Sequence, residues 1–341
     1  MYFNFIFSQR SGHRQRISLL MAAALLLIGL TAGCGSRSTN SEAVDSSAAA
    51  PSNTPSQVSA SDRPQERIVE HDAGTTTITG TPQKIAVLDY RLADSLLALG
   101  IVPYAMNTYM GETNLPYIDG NPLAKSIPLG DSTNLEALLE TQPELIIGRD
   151  EKIYSDLQKI APTVIIKVPD DWRESFREVA AIVQREKEAE LWLANYDQRA
   201  VDTRKEISQY VKAGETFMYL RVMPKEIRLH GTTLTLGATL FQDLQLTPVP
   251  GLEGIAKFEV ISLEKLPDYN PDHIFLEVGA PSVDSDKAAL SNLSSISETS
   301  LWKDLKAVKN GHVYTMPQWV ISDYPHIKSK SLELILEALK N

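Results

Sequence analysis

The sequence predicts an α/β protein of two similar lobes joined by a long helical segment. Three observations carry that prediction. Short apolar runs alternate with helical stretches on both sides of the middle of the chain. Between them lie about forty residues, Asp171 to Val211, with no glycine or proline. A fourteen-residue stretch that begins at Asn134 recurs without gaps 128 residues later, at Ser262.

Composition narrows the function classes first. The chain has 341 residues, with 33 Lys and Arg against 43 Asp and Glu, a net charge of −10. A general nucleic-acid binder needs a basic face, so that class is disfavoured. The single cysteine, Cys34, excludes a disulfide framework and any cysteine-rich metal site.

Residues 1–33 read as an address. Arg10, Arg14 and Arg16 precede an apolar run, Ser18–Leu30, that is too short to span a bilayer. The run stops at Leu30-Thr31-Ala32-Gly33-Cys34, which resembles a bacterial lipoprotein box in which Cys34 is lipidated; Thr31 stands where leucine is usual. Cleavage there removes three positive charges and takes the net charge from −10 to −13. The acidic product is exported and has no access to cytosolic nucleotides. Nine of the 33 residues from Gly35 to Arg67 are serine, and Leu, Ile and Phe are absent. Such a segment buries too little apolar surface to order itself, so residues 34–67 are expected to be a disordered tether.

The folded part is expected from Ile68. Lys84–Asp89 reads as a strand, followed by a helix through Leu92, Leu96, Leu97 and Leu99 that ends at Gly100. Leu145–Gly148 and Thr163–Val168 read as buried strands around a helical Lys152–Ile160. Residues 68–171 thus form an N-terminal lobe. Residues 172–212 are the bridge, one long helix or two with a bend. Residues 213–341 form a C-terminal lobe, with strands at Thr216–Met223, Glu226–His230, His273–Val278 and His312–Met316. Its helices are expected at Leu234–Leu246 and Lys328–Leu339.

The repeat supports this division. Leu135/Leu263, Glu136/Glu264, Leu138/Leu266, Pro143/Pro271 and Ile146/Ile274 are identical, and acid matches acid at 140/268 and 144/272. Each copy offers a capping residue, a short helix, a Pro-acid turn and a buried strand.

A family resemblance rests on four motifs in order. They are Thr81–Gly100, Asn134-Leu-Glu with Pro143–Ile147, Ile261–Leu266 with Pro271–Phe275, and Leu301–Tyr314. Together they resemble the iron-siderophore binding proteins of ABC importers, over roughly residues 68–341. The resemblance implies two Rossmann-like lobes bridged by one long α-helix, with the ligand held in the cleft. It also implies a monomeric, lipid-anchored protein facing the periplasm or cell exterior, with an ABC permease dimer as partner and a ferric siderophore as ligand. Cobalamin and haem are the alternatives within that family. Glu136 and Glu264 match the family glutamates, one per lobe tip, that dock arginines of the permease.

Ligands of open α/β lobes meet the loops beyond the carboxyl ends of strands. Tyr90 and Arg91 follow the first strand, Tyr109 and Arg149 follow later ones, and Trp319 and Tyr324 follow the last. Arg221 lies in the first strand of the second lobe, where family members often place an arginine that meets the oxygens around bound iron; Arg228 is a weaker candidate. A guanidinium fork suits chelate oxygens and aromatic faces suit the organic shell. The chelate supplies every iron ligand, so no cofactor and no protein metal ligand is expected. His71, His230, His273, His312 and His326 are scattered, which disfavours a direct metal-ion binder. An envelope enzyme is disfavoured because G-x-S-x-G, P-loop and G-x-G-x-x-G motifs are absent. An adhesive or structural lipoprotein would not need a two-lobe repeat.

Overall fold

The computed structural model describes residues 7–8, 65–167, 171–279 and 283–340. Cys34 and the serine-rich stretch lie outside the described residues. Phe7–Ser8 (β1) appears as a two-residue parallel strand. No helix among the described residues is long and apolar enough to cross a membrane.

The lobe's first strands form a hairpin, Glu66–His71 (β2) and Gly74–Thr79 (β3), which begins two residues before the expected Ile68. The hairpin leans on the lobe through Thr76 Oγ1, which donates to the Thr163 carbonyl at 2.6 Å. Ile85–Val87 (β4) follows, wholly buried, and leads into Tyr90–Ala98 (α1). Then come Ala105–Met106 (β5), Ile127–Pro128 (β6), Leu135–Thr141 (α2), Leu145–Gly148 (β7), Tyr154–Leu157 (α3) and Thr163–Ile165 (β8). The sheet is parallel throughout, in the order β6-β5-β4-β7-β8.

The bridge is two helices, Trp172–Val183 (α4) and Glu186–Ile207 (α5). The break falls at Gln184, whose φ of 57° is left-handed and ends α4 without help from glycine or proline. At 1.5 Å per residue α5 is about 33 Å long. Lys212–Ala213 (β9), paired with β1, closes the bridge.

The second lobe contains Phe217–Val222 (β10), Ile227–His230 (β11), Thr235–Ala238 (α6), Phe258–Ile261 (β12), Leu266–Tyr269 (α7) and His273–Val278 (β13). It continues with Val283–Glu298 (α8), Ser300–Lys303 (α9), Lys306–Lys309 (α10), Val313–Met316 (β14) and Pro325–Lys340 (α11). Its sheet order, β12-β11-β10-β13-β14, matches that of the first lobe strand for strand. The difference is β11, which returns from β10 as a hairpin and runs antiparallel.

The repeat has a structural cause at each end. Asn134 caps α2 by accepting from the N–H groups of Glu136 and Ala137, and α2 ends at left-handed Gln142. In the second copy Ser262 precedes a single 3-10 turn that runs into α7, which ends at left-handed Asn270. The repeated acids at 144 and 272 are strand anchors. Glu144 Oε2 accepts from the N–H groups of Gln83 (2.6 Å) and Lys84 (3.2 Å) just before β4. Asp272 Oδ2 accepts from the N–H (3.0 Å) and hydroxyl (3.1 Å) of Thr216 just before β10.

The C-terminal helix leaves the lobe that precedes it. Ile327, Leu332, Ile335 and Leu339 of α11 join Leu92 and Leu96 of α1 and Leu193 and Tyr196 of α5 in one apolar cluster. That cluster also takes in Phe217, Tyr219 and Phe275 of the second lobe, so a continuous core runs through both lobes and the bridge. A polar clasp reinforces it. Asp94 of α1, fully buried, accepts from the His326 backbone N–H at 3.0 Å and pairs with its Nδ1 at 2.9 Å.

Two outcomes follow from these contacts. Asp272→Ala should lower unfolding free energy by about 1.5–3 kcal/mol, the range for hydrogen bonds to a charged group. Glu144→Ala should cost less because its carboxylate is exposed; denaturant titration distinguishes the two. The clasp should make stability pH-dependent. Burial disfavours the charged imidazole of His326, but the hydrogen bond and charge of Asp94 outweigh it and raise its pKa. Its contribution is therefore full below the ordinary histidine value and is lost as pH rises through the raised one. Melting temperature should fall over that interval, and His326→Asn should remove this part of the slope.

Candidate functional site

Both sheets reverse strand order beside their central strand, at β4/β7 in the first lobe and β10/β13 in the second. A crevice opens at such points beyond the carboxyl ends of the strands. In the first lobe Asp89 follows β4 and caps α1, accepting from the Arg91 N–H at 2.9 Å. The Arg91 side chain folds back on the same carboxylate, Nε to Oδ1 at 2.8 Å and Nη2 to Oδ2 at 2.6 Å. Arg149, one residue past β7, donates Nη1 to Asp89 Oδ2 at 3.1 Å and to the Tyr324 hydroxyl at 2.9 Å. Burial alone would raise the Asp89 pKa, yet Arg91 and Arg149 hold it below the ordinary carboxylate value. Tyr324 precedes α11, so its bond to Arg149 crosses between lobes.

In the second lobe Arg221 on β10 and Glu277 on β13 are register partners. Arg221 Nε lies 3.0 Å from Glu277 Oε1, and its Nε and Nη2 donate to the Gly279 carbonyl at 3.1 and 2.9 Å. Gly279 sits at φ 96°, a backbone conformation that favours glycine, and a Cβ there would press on Asp286 Oδ1 at 2.5 Å and Gln318 Nε2 at 2.7 Å. The Tyr219 hydroxyl donates to Glu277 Oε2 at 2.5 Å. Burial pushes the Glu277 pKa up to about 7, against the opposing pull of Arg221 and Tyr219. His230 stacks on Tyr219 at 4.3 Å between ring centres, and burial pushes it down to about 3, so it is neutral. Arg228, the cross-strand partner of Arg221, pairs with Glu226 at 2.5 Å and lies over the Phe258 ring.

Aromatic rings line the join. Tyr90 and Tyr109 pack at 4.8 Å, and Tyr117 of the first lobe meets Trp319 of the second at 5.3 Å. Burial, and then the negative charges of Asp286 and Glu277, raise the Tyr109 pKa. Tyr90, Arg91, Arg149 and Tyr324 therefore form one cluster, with Tyr109 and Trp319 beside it. Arg221 is in the facing cluster but only 6% exposed, its fork taken up by Glu277 and Gly279.

The acids that organise these arginines were not among the sequence candidates. Asp89 was legible as a capping residue beside Arg91. Glu277 was visible as one acid inside an apolar strand. Tyr117, Tyr219, Asp286 and Gln318 carried no comparable signal. Glu136 and Glu264 are exposed in the first turns after Asn134 and Ser262. No group of three or more His, Cys, Asp or Glu able to hold a metal ion occurs among the described residues. A separate cavity of about 450 Å³ lies at the opposite ends of β4 and β7, lined by Arg67, Gln83, Gln184 and Arg185 among others; it has no aromatic wall.

The chain is similar over most of its length to known binding proteins. It is 30% identical over 333 residues to the iron(3+)-hydroxamate-binding protein FhuD of Bacillus subtilis, covering 93% of this chain and 95% of that one. It is 26% identical over 327 residues to the Fe(3+)-citrate-binding protein YfmC of the same organism, covering 93% and 94%. Among solved structures, a FhuD-fold periplasmic binding protein component of a ferrichrome ABC transporter from Bacillus subtilis superposes with a TM-score of 0.70 at 28% identity. It is covered completely by 80% of this chain. SirA of Staphylococcus aureus, complexed with staphyloferrin B, gives 0.68 at 25% identity, over 80% of this chain and 98% of that one. Residues 85–319 match the periplasmic binding protein profile, and the chain belongs to that family, as a binding protein and not an enzyme.

Proposed function

We propose that this chain is the capture component of an ABC importer, taking a ferric siderophore between its lobes and presenting it to a membrane permease. The observation that carries the reading is the inter-lobe site. Arginine clusters lie at matching strand ends of the two lobes, and the Tyr90–Tyr109 and Tyr117–Trp319 pairs pack beside them. Guanidinium groups suit the oxygen shell of a chelated ferric ion, and aromatic faces suit its organic backbone. The siderophore brings the iron ligands, so the protein needs none. The named relatives bind ferric hydroxamate and ferric citrate, and the solved neighbours include a staphyloferrin B complex. Cys34 tethers the domain to the membrane in this reading.

Titration of tryptophan fluorescence against ferric siderophores, with haem and cyanocobalamin in the same panel, tests the ligand class. A ferric siderophore should quench with the highest affinity, and Trp319→Phe should remove much of the signal. Arg149→Ala should weaken binding about tenfold or more, as expected for a charge-assisted hydrogen bond worth about 1.5–3 kcal/mol. Tight binding of haem or cobalamin, with no siderophore response, would replace the ligand assigned here.

Glu136 and Glu264 are the docking residues in this reading. The carboxylate of Glu264 is held ionised by its own backbone N–H and by Ser262. An exposed acid at equivalent points of both lobes can meet arginines of two permease subunits. Glu136→Ala and Glu264→Ala should leave siderophore affinity within about twofold, because surface changes rarely exceed about 0.5 kcal/mol. Uptake should fall in each and nearly vanish in the double variant. Normal uptake by the double variant would reduce both residues to helix-start acids.

A further inference from the structure

We infer that Met110, at the tip of a small hairpin beyond β5, is a ligand-contact residue of the cleft, and that Asp131 is the positioning residue that holds it there. The inference rests on the reading of the cleft as a siderophore site. It adds an aliphatic contact to the arginines and aromatic rings already placed there.

The hairpin is tightly tied. Tyr109 and Glu112 exchange backbone hydrogen bonds at 2.8 and 3.1 Å, which leaves Met110 and Gly111 as a two-residue loop. Both loop residues are left-handed, Met110 at φ 53° and Gly111 at φ 84°. A turn of this type favours asparagine, aspartate or glycine at its first position, because the Cβ of other residues is crowded against the backbone there. Methionine at 110 therefore strains the turn. Other left-handed residues of the chain have a structural reason. Gln142, Gln184 and Asn270 end helices, and Thr235 is buried with its N–H held by Asp323 at 2.9 Å. Met110 ends no helix and is 52% exposed, so neither capping nor burial offsets its strain. Strain that the fold does not use points to a functional surface.

The place of the hairpin supplies the reason. β5 runs parallel to β4, so the residues after Met106 leave at the carboxyl end of the sheet, as Asp89 and Arg91 do. Tyr109, next to the tip, packs on Tyr90 at 4.8 Å, and the Arg91 guanidinium lies over the Tyr90 ring. The tip thus continues the aromatic wall of the first-lobe cluster. A methionine side chain is unbranched and polarisable, and it adapts to irregular apolar surfaces. It suits the organic shell of a chelate better than the small polar residue that the turn prefers. Asp131, in the segment after β6, anchors the hairpin. Its Oδ1 accepts from the Gly111 N–H at 2.8 Å and from the Thr108 hydroxyl. Thr108 is tied to the same segment by its own N–H, which donates to the Gly130 carbonyl at 2.9 Å.

The test sets stability against affinity. Melting temperatures of the ligand-free protein are measured, together with dissociation constants for ferrichrome and ferric citrate from tryptophan fluorescence. Met110→Asn gives the turn a residue it prefers, so melting temperature should hold or rise. Affinity for the tighter of the two chelates should nevertheless fall about fivefold or more, because the apolar contact is gone. Met110→Gly, equally free to adopt the turn, should weaken binding in the same way. Met110→Leu keeps an apolar chain and should stay within about twofold of the wild type. Asp131→Ala should also weaken binding, and should add little in the Met110→Asn background, because it acts through the tip. Affinity unmoved by Met110→Asn overturns the inference. So does a loss of affinity matched by a loss of stability, which is what a purely structural turn residue gives. Binding of neither chelate by the wild type instead overturns the siderophore reading on which the inference rests.

Discussion

A carboxylate beneath each arginine cluster, part-buried Asp89 and fully buried Glu277, is the constraint on which the site depends. A guanidinium at the end of a buried strand is tolerable only if an acid is within reach. Asp89 and Glu277 meet that need at the two switch points, and each sets the direction of the side chains above it. Asp89 does so while capping α1, so the start of the first helix and the orientation of two arginines are one arrangement. Glu277 does so from the centre of a sheet, where it also takes the Tyr219 hydroxyl. The aromatic residues then fill the space that the paired charges leave between the lobes.

That arrangement is held by a core that ignores the lobe boundary. α11 follows the second lobe in sequence but packs on α1 and α5, and apolar contacts continue from Leu92 through Tyr196 to Phe275. Separating the lobes widely would expose this cluster and break the Asp94–His326 clasp. Small adjustments at the Arg149–Tyr324 contact are compatible with an intact core; a wide hinge opening is not. A core of this kind keeps the two lobes at a nearly fixed spacing.

Much of the architecture was legible because it is written in local pattern. Buried strands such as Leu145–Gly148 are continuous apolar runs, and the repeat at Asn134 and Ser262 marks equivalent turns in both lobes. The cleft residues could be placed because a residue just past a parallel strand lies at its carboxyl end. Features decided by long-range pairing were not legible. The β2–β3 hairpin turns only Val69 and Ile78 to the core among polar residues, and Ile68 on its other side is 74% exposed, so its periodicity did not announce it. The bend at Gln184 uses a left-handed glutamine, which composition does not flag. Glu277 reaches Arg221 only through the register of β10 against β13, across more than fifty residues of sequence.

The repeat shows how structural and functional demands can share one segment. Within each copy the acid at 144 or 272 ties the turn to the start of the central strand. Eight residues earlier, the acid at 136 or 264 projects from the start of the helix into solvent. The first fixes the segment to its lobe at one end, and the second presents a charge at the other. An exposed acid in the first turn of a helix gains only a little from the helix dipole, so folding gives a weak reason for Glu136 and Glu264 to match. The buried leucines at 138 and 266 and the acids at 144 and 272 are explained by packing and strand anchoring. The matched exposed glutamates are left with only that weak reason, and the docking role proposed for them would supply a stronger one.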